Sequence, residues 1–576
     1  MGLLTRPGGQ RGSSGAASSD DTGQAEGGGP VVAPERVSRF GLQAELHTGW
    51  QGALFDLREL KDRWLRASPV ERRRLALLAV AVLAVVAFGV VLKFWTRSDL
   101  WLDEALTVDI SRLPVSQIPA ALRRDGAPPL YYAMLHYWIA LFGTSDLAVR
   151  SLAGIIGCVT MPVGWAVARK AAGRYAALAT VLLLATSPFA TYYDTEARMY
   201  ALVALLTGLG FLGLSRAMQR PTAWNLLGVA SVTAALLYTQ YWALYLVGVT
   251  GLLVLWTAWR RSGPGRRAAV ASFVAMAVGC LAFVPWLPIF FFQARHTGTP
   301  WATPANPTVI IHVVTSFAGG KSVAGRSLAL LYFGLGALAL FGAAVDRWHI
   351  DLDIRTRPRA RALTFVSVGT LAVAVAGGYV SHSAFSVRYA SVVFLPLVVL
   401  VAMGLTCFAD KRVRNGVLAL AVVAGLAASI PNITTNRTQA GEVAATLARL
   451  GRPGDVVAYC PDQLGPAVNR LLPPGRYQQI TFPRETGPAF VNWINYAKVV
   501  ASARAANFDA KVEAMAGRTH QVWLVFAPGY LNFGAKCQQI EADLQGDANF
   551  RTTVMFPLGN FYQPMELVRF APARPA

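Results

Sequence analysis

The sequence predicts a polytopic α-helical membrane protein that ends in a small α/β domain. Hydrophobic residues make up 54% of the 576-residue chain and charged residues only 15%, where a soluble chain carries about 25% charged. The apolar residues gather into runs of spanning length, about 20 residues each. Beyond residue 432 the character changes, and stretches of helical and strand-like pattern begin to alternate.

Residues 1–36 are rich in Gly, Ser and Ala and lack an apolar stretch of signal-peptide character, so a disordered tail is expected. Residues 40–68 fit either a helix on the membrane surface or a solvated lead into the first span. Together they make a cytoplasmic segment over 1–70. The first span follows "ERRRL" and covers about 75–95, with the next three at about 151–168, 175–192 and 199–215. "WNLLGVASVTAALLYTQYWALYLVGVTGLLVLWTAW" holds two helices with a tight turn near Gln240. The rest fall at about 268–292, 327–345, 362–380, 389–408 and 416–430, about eleven spans in a domain over 71–431.

Lys and Arg in short loops set orientation. With the N-terminus inside, the inner loops "ARKAAGR", "SRAMQR", "WRRSGPGRR", "DRWHIDLDIRTRPRAR" and "DKRVRN" each hold at least two basic residues. The short outer connections "YYDTEARMY", "YTQYW" and "YVSHSAFSVRY" hold at most one. Much of the net charge of +22 therefore serves topology, and nucleic-acid binding is not expected. An odd number of spans places the C-terminal domain, 432–576, outside.

The first outer loop, 97–150, is long for a membrane connection and carries "WLDEAL" at its start. Loops of this size are usually functional or locally structured. Asp103 and Glu104 sit there, at the edge of the first span, where desolvation makes carboxylates costly unless they are used. Three more outer features follow in order: "DGAPPLYYAMLHYWIALFGTSDLAVRSLAGIIG", "SPFATYYDTEARMYAL" and "FSVRYASVVFLPL".

These four features, in this order and spacing, resemble the GT-C membrane glycosyltransferases, in the branch of the dolichyl-phosphate-mannose protein mannosyltransferases and the bacterial aminoarabinose transferases. The Ala/Arg/Gly-rich style points within that branch to actinobacterial cell-wall mannosyl- or arabinosyltransferases. The resemblance covers about 70–430 at the level of architecture. It implies a polyprenyl-phosphate-linked sugar donor, a glycan, lipid or protein acceptor, and chemistry at the outer face of the plasma membrane. It also implies that the first-loop acid is the general base, and Asp103 is the matching residue with Glu104 beside it. Arg388 with Tyr389 matches the family's "RY" motif and would meet the donor phosphate. Relatives commonly have His before the Pro-Pro pair, whereas here Ala127 precedes Pro128 and Pro129; contacts usually assigned to that histidine are absent or supplied elsewhere.

The residue types suit this chemistry independently. Attack of a hydroxyl on an anomeric carbon needs a proton acceptor, and a carboxylate at the membrane edge supplies one. The leaving phosphate needs cationic or hydrogen-bonding partners; beside Arg388 and Tyr389 the outer candidates are Arg198, Arg295, Lys321 and His382. Asp125, Tyr131, Tyr132, Glu196 and Tyr200 are the substrate-binding candidates, with an ion-pair network at a helix start the structural alternative for Glu196 and Arg198. A divalent cation bridging Asp103 and the phosphate is the other possibility, but no ligand cluster with metal spacing appears, so the expected mechanism is metal-independent.

In the C-terminal domain, "GEVAATLARLGRPGDVVAYCP" reads as helix, turn and strand, and "AKVVASARAANFDAKVEAMAGRTHQVWLVFAP" repeats the scheme. Its aromatics Trp493, Tyr496, Trp523 and Tyr530 are core candidates first and glycan contacts second. If that domain faces an oxidising compartment, Cys460 and Cys537 could pair, two unpaired buried thiols being the alternative. Two rival functions remain: a nucleotide-sugar enzyme using Asp351 and Asp353 of "HIDLDIR", and a polyprenyl-linked lipid flippase or transporter. The first lacks an inner domain, and the second lacks charges at mid-bilayer and a two-fold repeat.

Overall fold

The first span begins with a reciprocal cap. Ser68 accepts from the Glu71 amide, the Glu71 carboxylate accepts from the Ser68 amide, and Pro69 fills the first helical position, where no N–H is needed. The helix Pro69–Leu92 therefore starts ahead of its apolar run. In this computed structural model residues 64–298, 306–320, 322–347, 349–353, 358–380, 385–530, 532–547 and 549–573 are described, with Arg58, Lys61 and Asp62. The expected tail and most of 40–68 lie outside them.

Among the described residues nine helices are long and apolar enough to cross a membrane, and Arg174–Thr186 with Pro188–Asp194 adds a pair bent by 57°. The fifth predicted span is the helix Ala223–Thr239, apolar but only 17 residues long. Each predicted run is helical over most of its length, the one at 327–345 leaving the helix after Phe341, and the count differs through that short helix and the bent pair. Leu77, Leu83, Trp224, Leu252 and Leu330 remain exposed along the bundle, an apolar exterior suited to lipid. The chain is a multi-pass membrane protein. Its most enclosed span is Val387–Leu405, 83% buried along its most apolar stretch, against 11% for the first helix.

The two ends of the bundle differ in charge. Helix Asp146–Ala172 carries Arg150 near one end and Lys170 near the other, about 30 Å apart at 1.5 Å per residue. At the Lys170 end, Lys170 meets Gln219 (3.5 Å) and the Tyr175 hydroxyl donates to the Arg414 carbonyl (3.1 Å), which brings three basic loops together. The fourth, "DRWHIDLDIR", contributes a short antiparallel hairpin of β1, Gly342–Ala344, and β2, Ile350–Leu352.

Residues after the last span build a five-stranded mixed sheet of β3 (Val456–Cys460), β4 (Gln478–Thr481), β5 (Val522–Phe526), β6 (Phe550–Phe556) and β7 (Glu566–Pro572), in the order β4-β3-β5-β7-β6. β3 runs parallel to β4 and β5, and β7 runs antiparallel to β5 and β6. "VVAYC" and "VWLVF" are buried at every position, as the continuous apolar pattern of central strands requires. Trp523 donates to Asp455 at 3.0 Å and Tyr496 to Asp462, so these aromatics belong to the core. Cys460 at the end of β3 is bridged to Cys537, with Cα atoms 5.5 Å apart.

This domain sits on the first-loop region. Arg470 pairs with Asp146 at 3.1 Å, the Trp493 amide donates to the Arg124 carbonyl at 3.0 Å, and the Arg437 amide donates to Ser98 Oγ at 2.8 Å.

Candidate active site

Asp103 and Glu104 occupy the first turn of helix Leu102–Ser111, where the free backbone N–H groups and the helix dipole favour negative charge. Adjacent positions on a helix point about 100° apart, and the two carboxylates accordingly have different surroundings. Glu104 is fully buried. Arg150 grips it with Nε on Oε1 at 2.7 Å and Nη2 on Oε2 at 2.6 Å, the Ala197 amide adds a bond at 3.0 Å, and Arg437 lies at 4.0 Å. Burial would raise this carboxyl, but Arg150, then Arg437 and the amide, hold it below the ordinary range. Both oxygens accept hydrogen bonds from the protein, which ties the helix to Arg150 and to the Ala197 amide.

Asp103 keeps a partly exposed side chain, 14%. Arg388 Nη1 meets its Oδ2 at 2.7 Å and Arg198 Nη2 approaches the same oxygen at 3.9 Å. Arg388 comes from a 3-10 turn, Val387–Val393, that unwinds the start of the most enclosed span. Its guanidinium lies 5.7 Å from the ring centres of both Trp101 and Tyr389. Arg198 is fixed by Thr107 Oγ1 at 2.8 Å and the Tyr132 hydroxyl at 3.0 Å, and Tyr132 donates to Asp125 at 2.7 Å. Burial raises the Asp125 carboxyl against the pull of Arg198. Asp125 also lines a cavity of 590 Å³ between the first-loop helices and residues 484–492.

The broken span supplies the far wall. Pro188 cannot continue the preceding helix, Ser187 caps the next one (3.2 Å to the Ala190 amide), and a 57° bend separates the two helices ahead of residues 194–198. Asp194 pairs with Lys93 at 2.5 Å and packs on Gly157, where a Cβ would lie 2.3 Å from its Cγ. Glu196 is fully buried, and neither carboxylate oxygen has a hydrogen-bond partner. Its expected pairing with Arg198 does not form, because Arg198 turns to Asp103, Thr107 and Tyr132. Burial pushes Glu196 up to about 7, Arg437 and Arg388 opposing and Glu104 and Asp103 adding to the rise. The buried hydroxyls of Tyr131 and Tyr200 likewise have no hydrogen-bond partner.

The structure thus gathers Asp103, Asp125, Tyr132, Arg198, Arg388 and Tyr389. Arg295 is exposed at the end of helix Leu287–His296, and none of these contacts involves it. Lys321 and His382 lie outside the described residues. Among the described residues no group of three or more His, Cys, Asp or Glu is placed to hold a metal ion. Sequence reasoning missed Arg150 and Arg437. The available signal for Arg150 was a lone arginine one turn into an apolar span; Arg437, in the linker after the last span, offered none.

Residues 126–289 match the family of dolichyl-phosphate-mannose-protein mannosyltransferases. No curated protein matches by sequence. Among solved structures, the chain is similar to ArnT from Cupriavidus metallidurans in the apo state: 16% identity over 86% of this chain and 98% of that one, TM-score 0.52. ArnT bound to undecaprenyl phosphate gives 15% identity, 85% and 98% coverage, and a TM-score of 0.50. Arabinofuranosyltransferase AftD from mycobacteria aligns at 13% identity, over 86% of this chain and 40% of that one, with a TM-score of 0.48. The chain therefore has the GT-C membrane-glycosyltransferase fold and resembles, within it, the branch of the dolichyl-phosphate-mannose protein mannosyltransferases and the aminoarabinose transferases.

Proposed function

We propose that this protein transfers a sugar from a polyprenyl-phosphate donor to a hydroxyl of a cell-envelope acceptor, at the outer face of the plasma membrane. The observation that carries the reading is Arg388 on Asp103 Oδ2 at 2.7 Å, a cation and a carboxylate meeting at the rim of a membrane bundle. The donor phosphate competes for Arg388 and Arg198. As it draws Arg388 away, Asp103 Oδ2 is left open to the acceptor hydroxyl. That hydroxyl attacks the anomeric carbon, its proton passes to Asp103, and the bond from the anomeric carbon to the phosphate oxygen breaks. The extra negative charge on the departing polyprenyl phosphate stays with the two guanidiniums. Attack from the face opposite the phosphate inverts the anomeric centre.

The similarity to ArnT, solved with undecaprenyl phosphate, supports the donor class, and basic loops gathered at the far end of the bundle support a cytoplasmic N-terminus and an extracytoplasmic C-terminal domain. The Cys460–Cys537 bridge fits that side. Mannosyl and arabinosyl donors are both candidates. The test is incubation of purified protein with radiolabelled decaprenyl-phosphate mannose, decaprenyl-phosphate arabinose and an envelope extract. Label leaving the carrier supports the reading; transport of intact donor across a vesicle without cleavage would favour a flippase.

A further inference from the structure

The loop joining β6 to β7 belongs to the C-terminal domain, yet it reaches the first turn of the helix that carries Asp103. Gln563 Oε1 accepts the Leu102 amide at 3.2 Å, one residue before Asp103, and its Nε2 donates to the Gln463 carbonyl at 3.0 Å. The loop is held from behind as well: Gln439 Oε1 accepts the amides of Gly559 (2.9 Å) and Met565 (2.8 Å), and the Gln563 amide donates to the Arg437 carbonyl at 2.8 Å. A segment tied at so many points cannot swing freely, so its side chains are presented in fixed directions.

Between those ties stands Tyr562. Its ring touches Trp101 edge to face, centroids 5.0 Å apart and planes at 88°, and 63% of the residue is exposed. The charges of Arg388, Asp103 and Glu196 act on its phenol. An aromatic ring mostly open to solvent and packed on Trp101, two residues before Asp103, offers a surface on which a ligand can stack. Asp103 and Arg388, whose charges act on Tyr562, are polar partners suited to a ligand rich in hydroxyls. A sugar ring has both properties: an apolar C–H face for the aromatic ring and a rim of hydroxyls for the polar atoms.

We propose that Tyr562 is the platform on which the acceptor binds, and that the acceptor is a carbohydrate whose ring stacks on Tyr562 and turns a hydroxyl toward Asp103. The C-terminal domain then completes the site by supplying an acceptor-binding residue. This rests on the reading of Asp103 as base, and the test separates the two. Full-length protein in nanodiscs is given decaprenyl-phosphate mannose or decaprenyl-phosphate arabinose, with octyl α-mannoside, octyl α-arabinofuranoside or a Ser/Thr-rich peptide as acceptor. Binding of each octyl glycoside is measured separately by thermophoresis. Tyr562→Ala should raise the glycoside KM and Kd by about tenfold, the loss of one stacked ring face, while the donor KM stays within about twofold. Tyr562→Trp should restore both. An unchanged glycoside Kd in Tyr562→Ala overturns the proposal, as does wild-type transfer to the peptide and to neither glycoside. If no donor is turned over, the donor-and-base reading fails, and the thermophoresis arm still decides the platform.

Discussion

Replacing Arg150 by Met tests what holds the first-loop helix in place. In the folded protein the Arg150 guanidinium makes two bonds to Glu104 and two to the Ser98 and Asp99 carbonyls, at 2.5 and 3.1 Å. Methionine keeps much of the volume and removes all four. Glu104 would then be a buried carboxylate held only by the Ala197 amide at 3.0 Å and Arg437 at 4.0 Å. Breaking a buried pair from one side costs about 3–5 kcal/mol, and the two remaining partners put this case near the low end. Glu104→Gln with Arg150→Met removes the stranded charge, so the double variant should be more stable than Arg150→Met alone, with a coupling of about 2 kcal/mol. The assay is the thermal unfolding midpoint of all four proteins in one detergent. At about 2 °C per kcal/mol, Arg150→Met should fall by about 6 °C and the double variant should recover part of it. Lowering the pH to about 5 should also narrow the gap, because Glu104 can then take a proton. If Arg150→Met melts within about 2 °C of wild type, or the double variant melts below it, the pair is not what fixes this helix.

Glu196 gives a prediction of opposite sign. Its carboxyl is pushed to about 7 in the fold against 4.5 when free, so the unfolded chain releases its proton first and stability falls as pH rises from 4.5 to 7, by roughly 3 kcal/mol at the upper end. Glu196→Gln should flatten that part of the stability-versus-pH profile, measured by melting at steps across the interval; an unaltered slope would assign it elsewhere. Arg388→Ala should raise the donor KM by about 10²-fold or more, a charged hydrogen bond lost to the phosphate, and Arg388→Lys should recover only part, read from initial rates against donor concentration. At Gly404 an added Cβ would lie 2.0 Å from the Leu335 carbonyl, so Gly404→Ala should force two packed spans apart and cost about 1–3 kcal/mol, checked by melting. Removing the Cys460–Cys537 bridge, which spans 77 residues, should destabilise the C-terminal domain by about 4 kcal/mol, visible as earlier proteolysis of that domain after Cys537→Ala.

What the sequence made legible was whatever leaves a local pattern. Spans, basic loops and the central strands "VVAYC" and "VWLVF" each follow from periodicity or composition over a short window. Arg388 and Asp103, far apart in sequence, were each singled out by a motif, and the structure brings them to 2.7 Å. The single span predicted at about 175–192 runs through Ser187–Pro188, because the apolar run continues across the 57° bend that the proline makes there. Arg150 on Glu104, Arg437 behind it and Gln563 on Leu102 are contacts between residues 46, 333 and 461 positions apart, and no periodicity carries such pairings. Glu196 and Arg198 went the other way: local spacing suggested a pair, but Asp103, Thr107 and Tyr132 offer Arg198 three oxygens, and Glu196 is left alone.

Substitution of Asp103 by Asn keeps the shape of the side chain and removes its capacity to take a proton. Initial rates of transfer from whichever decaprenyl-phosphate sugar the wild type uses should fall by about 10²–10⁴ in kcat, with the fold intact by melting and the donor still bound. Transfer at the wild-type rate by Asp103→Asn would show that this carboxylate is not the base.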